Sequence, residues 1–310
     1  MTSVPTSDHE TIPAPEIREV SPGIYAYLQL DGSWGLNNTG FIVGKDAVTV
    51  IDSCFTAART QAFIKAIHSV ADKPLPTLIN THHHGDHTFG NYQFTSATII
   101  GHELCRSEVQ RAQLSIKPLF PGVEWGDLQV SPPFVTFEDR LTIYVDDLKL
   151  ELIFVGPAHT KGDILIWIPE RRVLFAGDVF FKDCTPLLLE GCLAHYFETL
   201  AIVRGLNAEI IVPGHGPICG PEVIDEVEGY LHFVQFAAGK GFEAGLTPLE
   251  AARQTELGAF AHWPDSERIV GNIARAYSEL RGEPLAQPLD LPAIAAQMIE
   301  YNGGPLRCLA

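Results

Sequence analysis

The chain has 310 residues, 46% of them hydrophobic and 19% charged, which supports one substantial core and leaves too little charge for extended disorder. Its formal net charge of −17 at pH 7, with no Lys/Arg run, argues against nucleic-acid and membrane partners, because an acidic surface repels phosphate backbones and anionic lipid. No apolar stretch could span a bilayer, and Met1–Glu16 lacks a basic segment leading into an apolar one, so a cytoplasmic protein is expected.

Residues 1–16 are polar and proline-rich and read as a flexible tail. Short strands follow at Ile24–Leu30, Gly40–Val43 and Val48–Asp52, separated by Gly and Asn clusters. Ala58–Ala71 carries Phe63, Ile64, Ile67 and Val70 on one helical face. A strand at Thr77–Asn80 leads into a histidine-rich segment, and Ala97–Ile100 and Glu103–Leu114 read as strand and helix. Residues 116–136 hold four prolines and three large aromatics, a long irregular stretch of the kind that covers or walls a site. Strands recur at Leu141–Val145, Lys149–Val155, Ile164–Ile168, Val173–Ala176 and Ile210–Val212, with a helix near Ala194–Leu206. Two β-rich halves, each followed by helices, predict an α/β protein with two sheets face to face and helices outside. From Val223 the pattern is mostly helical, with Thr247-Pro248-Leu249-Glu250 and Asp290-Leu291-Pro292 as helix starts. The expected division is a core domain at 17–235 and a helical C-terminal extension at 236–310 packed on it. The six cysteines have no CxxC or framework spacing and read as reduced thiols.

The segment Asn80-Thr81-His82-His83-His84-Gly85-Asp86-His87 carries the chemistry. His82 and His84 are two apart, so on extended backbone their rings point the same way, while Asp86 and His87 on the following turn can face a second centre. A short HxH alone is more often a surface cluster; four ligand-type residues in six, after a strand, reverse that reading. Three further residues stand at apolar strand ends before turns: His159 in Gly156-Pro157-Ala158-His159-Thr160, Asp178 in Leu174-Phe175-Ala176-Gly177-Asp178, and His215 in Pro213-Gly214-His215-Gly216.

These segments resemble the metallo-β-lactamase superfamily. The resemblance implies an αββα sandwich with two metals at one sheet edge: His82, His84 and His159 on one, Asp86, His87 and His215 on the other, and Asp178 bridging. It makes Asp86 and Asp178 the candidate catalytic residues and two Zn2+ the expected cofactor, with Mn or Fe compatible with the same ligand types. Two close cations would ionise a bridging water near neutral pH, so no Ser or Cys nucleophile is required. Asp52 is either a residue that orients the motif loop or a strand-end turn residue. His83 is expected to face away from the metals, and His68 to be a packing or surface residue.

The Asp at position 178 and the missing export signal separate the chain from secreted antibiotic-hydrolysing members. Glutathione thioesterases use a basic C-terminal region, whereas residues 240–310 here hold six Lys/Arg against nine Asp/Glu. A further resemblance rests on Trp125-Gly126, Pro132-Pro133, Gly220-Pro221-Glu222-Val223, Leu257-Gly258-Ala259-Phe260 and Tyr301-Asn302-Gly303-Gly304 with Cys308-Leu309-Ala310. It points to actinomycete cyclase/thioesterases of aromatic polyketide biosynthesis. That implies aldol ring closure and thioester hydrolysis on a small-molecule or acyl-carrier-protein-bound polyketide. Candidate substrate walls are Trp34, Phe120, Trp125, Leu187 to Leu189 (Leu188 at the centre), Tyr196 and, near the groove, His195; core packing is the simpler role for each aromatic. A general esterase or lactonase and a non-catalytic binding protein are the alternatives. A homodimer is compatible with the sequence.

Overall fold

The computed structural model describes residues 12–310. Most of the tail expected at 1–16 therefore lies outside the described residues. Seven strands form one sheet in sequential order: β1 (Glu16–Ser21), β2 (Ile24–Leu28), β3 (Thr39–Val43), β4 (Val48–Ile51), β5 (Thr77–Ile79), β6 (Thr98–His102) and β7 (Val135–Phe137). Pairing is antiparallel from β1 to β4 and parallel from β4 to β7. The second sheet runs β12 (Ile210–His215), β11 (Val173–Phe181), β10 (Ile164–Ile168), β9 (Leu148–Phe154) and β8 (Arg140–Val145), with only β11 and β12 parallel.

The period-two patterns of these strands sort residues onto two faces. Ile24, Ala26 and Leu28 of β2 join Ile42, Ile79 and Ile100 against Leu150, Leu152, Ile166 and Phe175 of the other sheet. Tyr27, Phe41, Val50 and Leu78 face outward onto Phe63 and Ile67 of α1 (Ala57–Val70), whose first turn is capped by the Thr56 side chain. On the far side Ile153, Leu165, Trp167 and Leu174 pack against α4 (Leu193–Leu206) and α5 (Glu222–Glu243). This is the expected αββα order. The remaining helices are α2 (Gly85–Thr88), α3 (Glu103–Ala112), α6 (Pro248–Gln254), α7 (Arg268–Leu280) and α8 (Leu291–Asn302). Thr247 and Glu250 form a reciprocal capping box on α6, and the Asp290 carboxylate caps α8. The boundary set at 235/236 falls inside α5, whose buried face continues through Ala237, Ala238 and Gly241.

Strands β1 and β7 have no counterpart among the sequence expectations. Both are largely exposed edges, so neither shows an apolar run. Strand β11 also continues past its expected end at Ala176 to Phe181, through an irregular register at Gly177 (φ 51°). All six cysteines are free, five of them buried. No helix among the described residues is long and apolar enough to cross a membrane.

The sheets approach closely at Gly40, where an added Cβ would lie 2.2 Å from the Phe175 ring. Gly40→Val should therefore force the sheets apart and cost about 1–3 kcal/mol, measured as a lower denaturation midpoint. An unchanged midpoint would mean that Phe175 can turn aside without loss.

Candidate metal centre

Four chain segments meet on one rim of the sandwich. After β5 the backbone bends through Thr81–His84 and closes into the single turn of α2, which presents Asp86 and His87. The loop after β9 carries His159 and is held by Asp163, whose carboxylate accepts from Thr160 N (2.8 Å), Thr160 Oγ1 (2.5 Å) and Ala158 N (3.2 Å). Parallel β11 and β12 place Asp178 and His215 alongside each other. Asp178 thus sits within a strand, three residues before its end, rather than at a strand terminus as expected. The kink at Gly177 turns its side chain to the rim, and a Cβ on Gly214 would lie 1.9 Å from Asp178 Oδ1.

Candidate ligand atoms of His82, His84, His159 and Asp178 all lie within 4.8 Å of one another, as do those of Asp86, His87 and His215. The Asp178 carboxylate stands between the groups: Oδ2 is 3.2 Å from His159 Nε2 and 3.4 Å from His215 Nε2, and Oδ1 is 3.0 Å from His87 Nε2. His215 Nε2 is also 3.2 Å from Asp86 Oδ2. All seven expected residues come together.

Outer contacts fix which ring nitrogen of His82, His84, His87 and His159 faces inward. Thr81 Oγ1 gives its one proton to Asp52 Oδ2 (2.7 Å), so toward His82 Nδ1 (3.1 Å) it accepts, and His82 Nε2 keeps its lone pair. His87 Nδ1 donates to Asp52 Oδ2 (2.8 Å), and His159 Nδ1 to the Leu187 carbonyl (2.5 Å). His84 is reversed: Nε2 donates to Glu190 Oε2 (3.0 Å), leaving Nδ1 inward. Asp52 is therefore the orienting residue of its two alternatives, and its φ of 58° aims the carboxylate at Thr81 and His87.

The inward atoms lack ordinary partners. His82 Nε2, His87 Nε2 and Asp178 Oδ1 are buried without a hydrogen bond, and His84 Nδ1 lies 2.8 Å from His159 Nε2. Two neutral rings would set lone pairs against each other at this distance, which either a shared proton or a metal cation relieves, and imidazole and carboxylate donors converging in this way fit divalent metals. Burial pushes His82 well below its usual pKa and His84 down to about 4. Burial opposes ionisation of Asp178 too, but His215, His87, His82 and His159 outweigh it and hold the carboxyl well below its usual range. For His215, burial lowers the pKa, but Asp178 and Asp86 overcome it and raise the value to about 9.

A cavity of about 590 Å³ opens on Asp86, Asp178 and His215. Of the expected substrate walls, Trp34 lines it, as do Leu187 and Leu189 but not Leu188. Leu188 is fully buried, with its N–H bound to Asn272 Oδ1. Phe120 packs beneath Trp34 and Phe55, and Trp125 packs on Phe55 and Phe89, so both support the wall from behind. Tyr196 is buried under β11, its hydroxyl 2.8 Å from the Val179 carbonyl. His195 pairs with Glu198 along α4, away from the cavity. His83 stands in neither of the two ligand groups; its Nε2 is 3.3 Å from Glu190 Oε2, the carboxylate that also meets His84 Nε2. His68 is a surface residue near Asp72. Sequence reasoning missed Thr81 and Glu190; the Thr81 contact to Asp52 had a weak signal in its place beside His82, and Glu190 had none.

Residues 32–215 match the family profile described as the metallo-beta-lactamase superfamily. The chain belongs to this superfamily. Among curated superfamily-like relatives, the 2,4-dinitroanisole O-demethylase subunit alpha of Nocardioides sp. (strain JS1661) is 27% identical over 58% of this chain and 53% of its own. The metallo-beta-lactamase type 2 of Bacteroides fragilis is 25% identical over 68% of this chain and 83% of its own. A hydroxyacylglutathione hydrolase of Rhodospirillum rubrum is 30% identical over 47% of each chain. The chain thus spans about half the length of the first and third. A solved metallo-beta-lactamase from Pontibacter korlensis shares the fold, with a TM-score of 0.59, 19% identity, and coverage of 71% of this chain and 99% of its own. The superfamily profile ends at His215, so α5 to α8 lie beyond it.

Two outcomes are expected. Asp52→Ala orphans Thr81 N–H and frees the His87 ring, so divalent-metal affinity should fall by about 10–100-fold and stability by about 1–3 kcal/mol per orphaned donor. Metal titration and chemical denaturation check both; unchanged affinity would remove Asp52 from the orienting role. Second, His215, with its pKa raised to about 9, holds a proton at pH 7 that a metal must displace. Zinc loading at pH 7 should release protons and tighten as pH rises toward 9. Calorimetry in buffers of differing ionisation heat reads this, and heats independent of buffer would contradict it.

Proposed function

We propose that the protein is a dinuclear zinc hydrolase, and specifically a thioesterase/cyclase acting on an aromatic polyketide chain carried as a thioester. The observation that carries the reading is the cavity beside the ligand cluster. Its apolar lining comprises Trp34, Phe55, Phe89, Leu187 and Leu189 together with Leu291, Ala295, Met298 and Ile299 of α8. A large apolar body fits such walls, and the two arginines that line the cavity are each engaged by a carboxylate, Arg111 by Glu190 (3.1 Å) and Arg268 by Asp265 (2.8 Å). The acidic C-terminal region supports the same distinction from a glutathione conjugate, while the hydroxyacylglutathione hydrolases among the relatives are named for an acyl group carried by glutathione.

When bound, a pair of divalent cations supplies Lewis acidity and a nucleophile at neutral pH. The chain's own residues do the rest. Asp178, held ionised, balances positive charge between the two ligand groups. Asp86, held down to about 2 because His215 and His87 outweigh its burial, stays an acceptor at every working pH. The apolar walls exclude water from the acyl chain and favour its folding back on itself, as ring closure needs.

The test is to incubate zinc-loaded protein with a carrier-bound poly-β-ketone, free lactones and simple esters. Release of a cyclised acid from the carrier is expected, falling at least about 100-fold in Asp178→Ala. Fast lactone turnover with the carrier-bound chain unchanged would overturn the substrate assignment. Ala295→Trp, which fills the cavity under α8, should raise KM for the large chain and leave a short acyl thioester unaffected.

A further inference from the structure

Helix α7 carries buried polar side chains where an apolar stripe would be ordinary. Arg268, Asn272 and Arg275 are 2%, 0% and 1% exposed, and with Glu279 their spacing keeps them on one face. Each of these four side chains bonds the backbone of one segment, residues 185–194. Arg268 Nη1 donates to Thr185 O (2.7 Å). Asn272 Nδ2 donates to Pro186 O (2.9 Å), and its Oδ1 accepts from Leu188 N (2.8 Å). Arg275 Nη2 donates to Leu189 O (2.8 Å), and the Glu279 carboxylate accepts from Leu193 N (2.6 Å) and Ala194 N (3.0 Å).

That segment has no strand or helix of its own before Leu193 and connects β11 to α4. Without the α7 stripe the carbonyls of Thr185, Pro186 and Leu189 and the amides of Leu188, Leu193 and Ala194 would lose these partners. It also supplies the outer contacts of two candidate ligands: the Leu187 carbonyl to His159 Nδ1 and the Glu190 carboxylate to His84 Nε2. His87, by contrast, is oriented by Asp52, which directly follows β4.

We propose that α7 is a template for the 185–194 segment and that Asn272 is a positioning residue for one metal subsite, the one built on His84 and His159. The inference rests on reading His82, His84, His159 and Asp178 as metal ligands. It separates the supports by ligand: Asp52 and Thr81 at the rim of the first sheet hold His82 and His87, and a helix beyond the superfamily span holds the segment behind His84 and His159. Leu188 lies between Leu187 and Glu190, so loss of its anchor lets both outer contacts drift together.

The test uses the full chain, stripped of metal by chelation. It is titrated with Zn2+ by calorimetry and with Co2+ by visible absorption, where the two ligand sets give distinguishable bands. Two binding events are expected in the wild type; fewer would overturn the ligand reading and this inference with it. Given two, Asn272→Ala should weaken one event by about 10–100-fold and change its cobalt band while leaving the other intact. Glu190→Ala should strike the same event, with the double variant less than additive. Tyr230→Phe removes a hydroxyl that also contacts Asn272 Nδ2 (2.9 Å) but leaves the segment's anchors in place, so it should spare both events. Equal weakening of both events in step with lost stability, full additivity with Glu190→Ala, or no change would overturn the template role. Should Asn272→Ala not fold, Glu279→Ala, at the partly exposed end of the stripe, gives the same readout.

Discussion

At the end of β4 the buried Asp52 carboxylate takes one hydrogen bond from Thr81 N, a second from Thr81 Oγ1 and a third from His87 Nδ1. Its two oxygens thereby fix the backbone at the start of the histidine segment, the rotor of a threonine and the tautomer of an imidazole. Through that threonine the constraint reaches His82 as well. Ring nitrogens that must turn a lone pair inward need their other nitrogen engaged, because a neutral imidazole has one donor and one acceptor. The remaining architecture can be understood as ways of meeting that requirement in a dry rim.

The two-sheet sandwich meets it by bringing strand ends from different parts of the chain to one edge. Glycines make the convergence sterically possible: Gly177 adopts φ 51° with Thr81 packed where a Cβ would stand, and Gly214 leaves room for the Asp178 carboxylate. The same closeness makes burial costly for each ionisable group. Asp178 stays ionised only because four histidines surround it, and His215 carries charge only because two carboxylates face it. Cluster and charge balance are therefore one property, in which each group's protonation depends on its neighbours.

The seven clustered residues were legible in the sequence because ligand chemistry needs particular residue types, and their local segments announce turns after apolar strands. The sandwich was legible from strand periodicity. Other features depended on contacts remote in sequence. Glu190 meets His84 across 106 residues and sits in a segment without periodicity. Phe120, Trp125 and Tyr196 are large aromatics near a groove, but they fill the layer behind the wall, since close-packed interiors use such side chains wherever space demands them. The exposed edge strands β1 and β7 lack an apolar face, so alternation could not show them.

The helices beyond His215 contribute to the rim in two chemically different ways. Helix α8 turns Leu291, Ala295, Met298 and Ile299 toward the cavity, where apolar area selects bulk and excludes water. Helix α7 turns a polar stripe toward a loop that has no hydrogen-bonding scheme of its own. Arg275 joins the two roles, since the same guanidinium group binds Leu189 O below and Gln287 O in the approach to α8. A change in the position of α8 would thus be felt by the segment that orients His84 and His159. Because apolar contact is nondirectional whereas these hydrogen bonds are directional, the α8 face can change shape without disturbing the cluster while the stripe on α7 keeps the His84 and His159 geometry fixed.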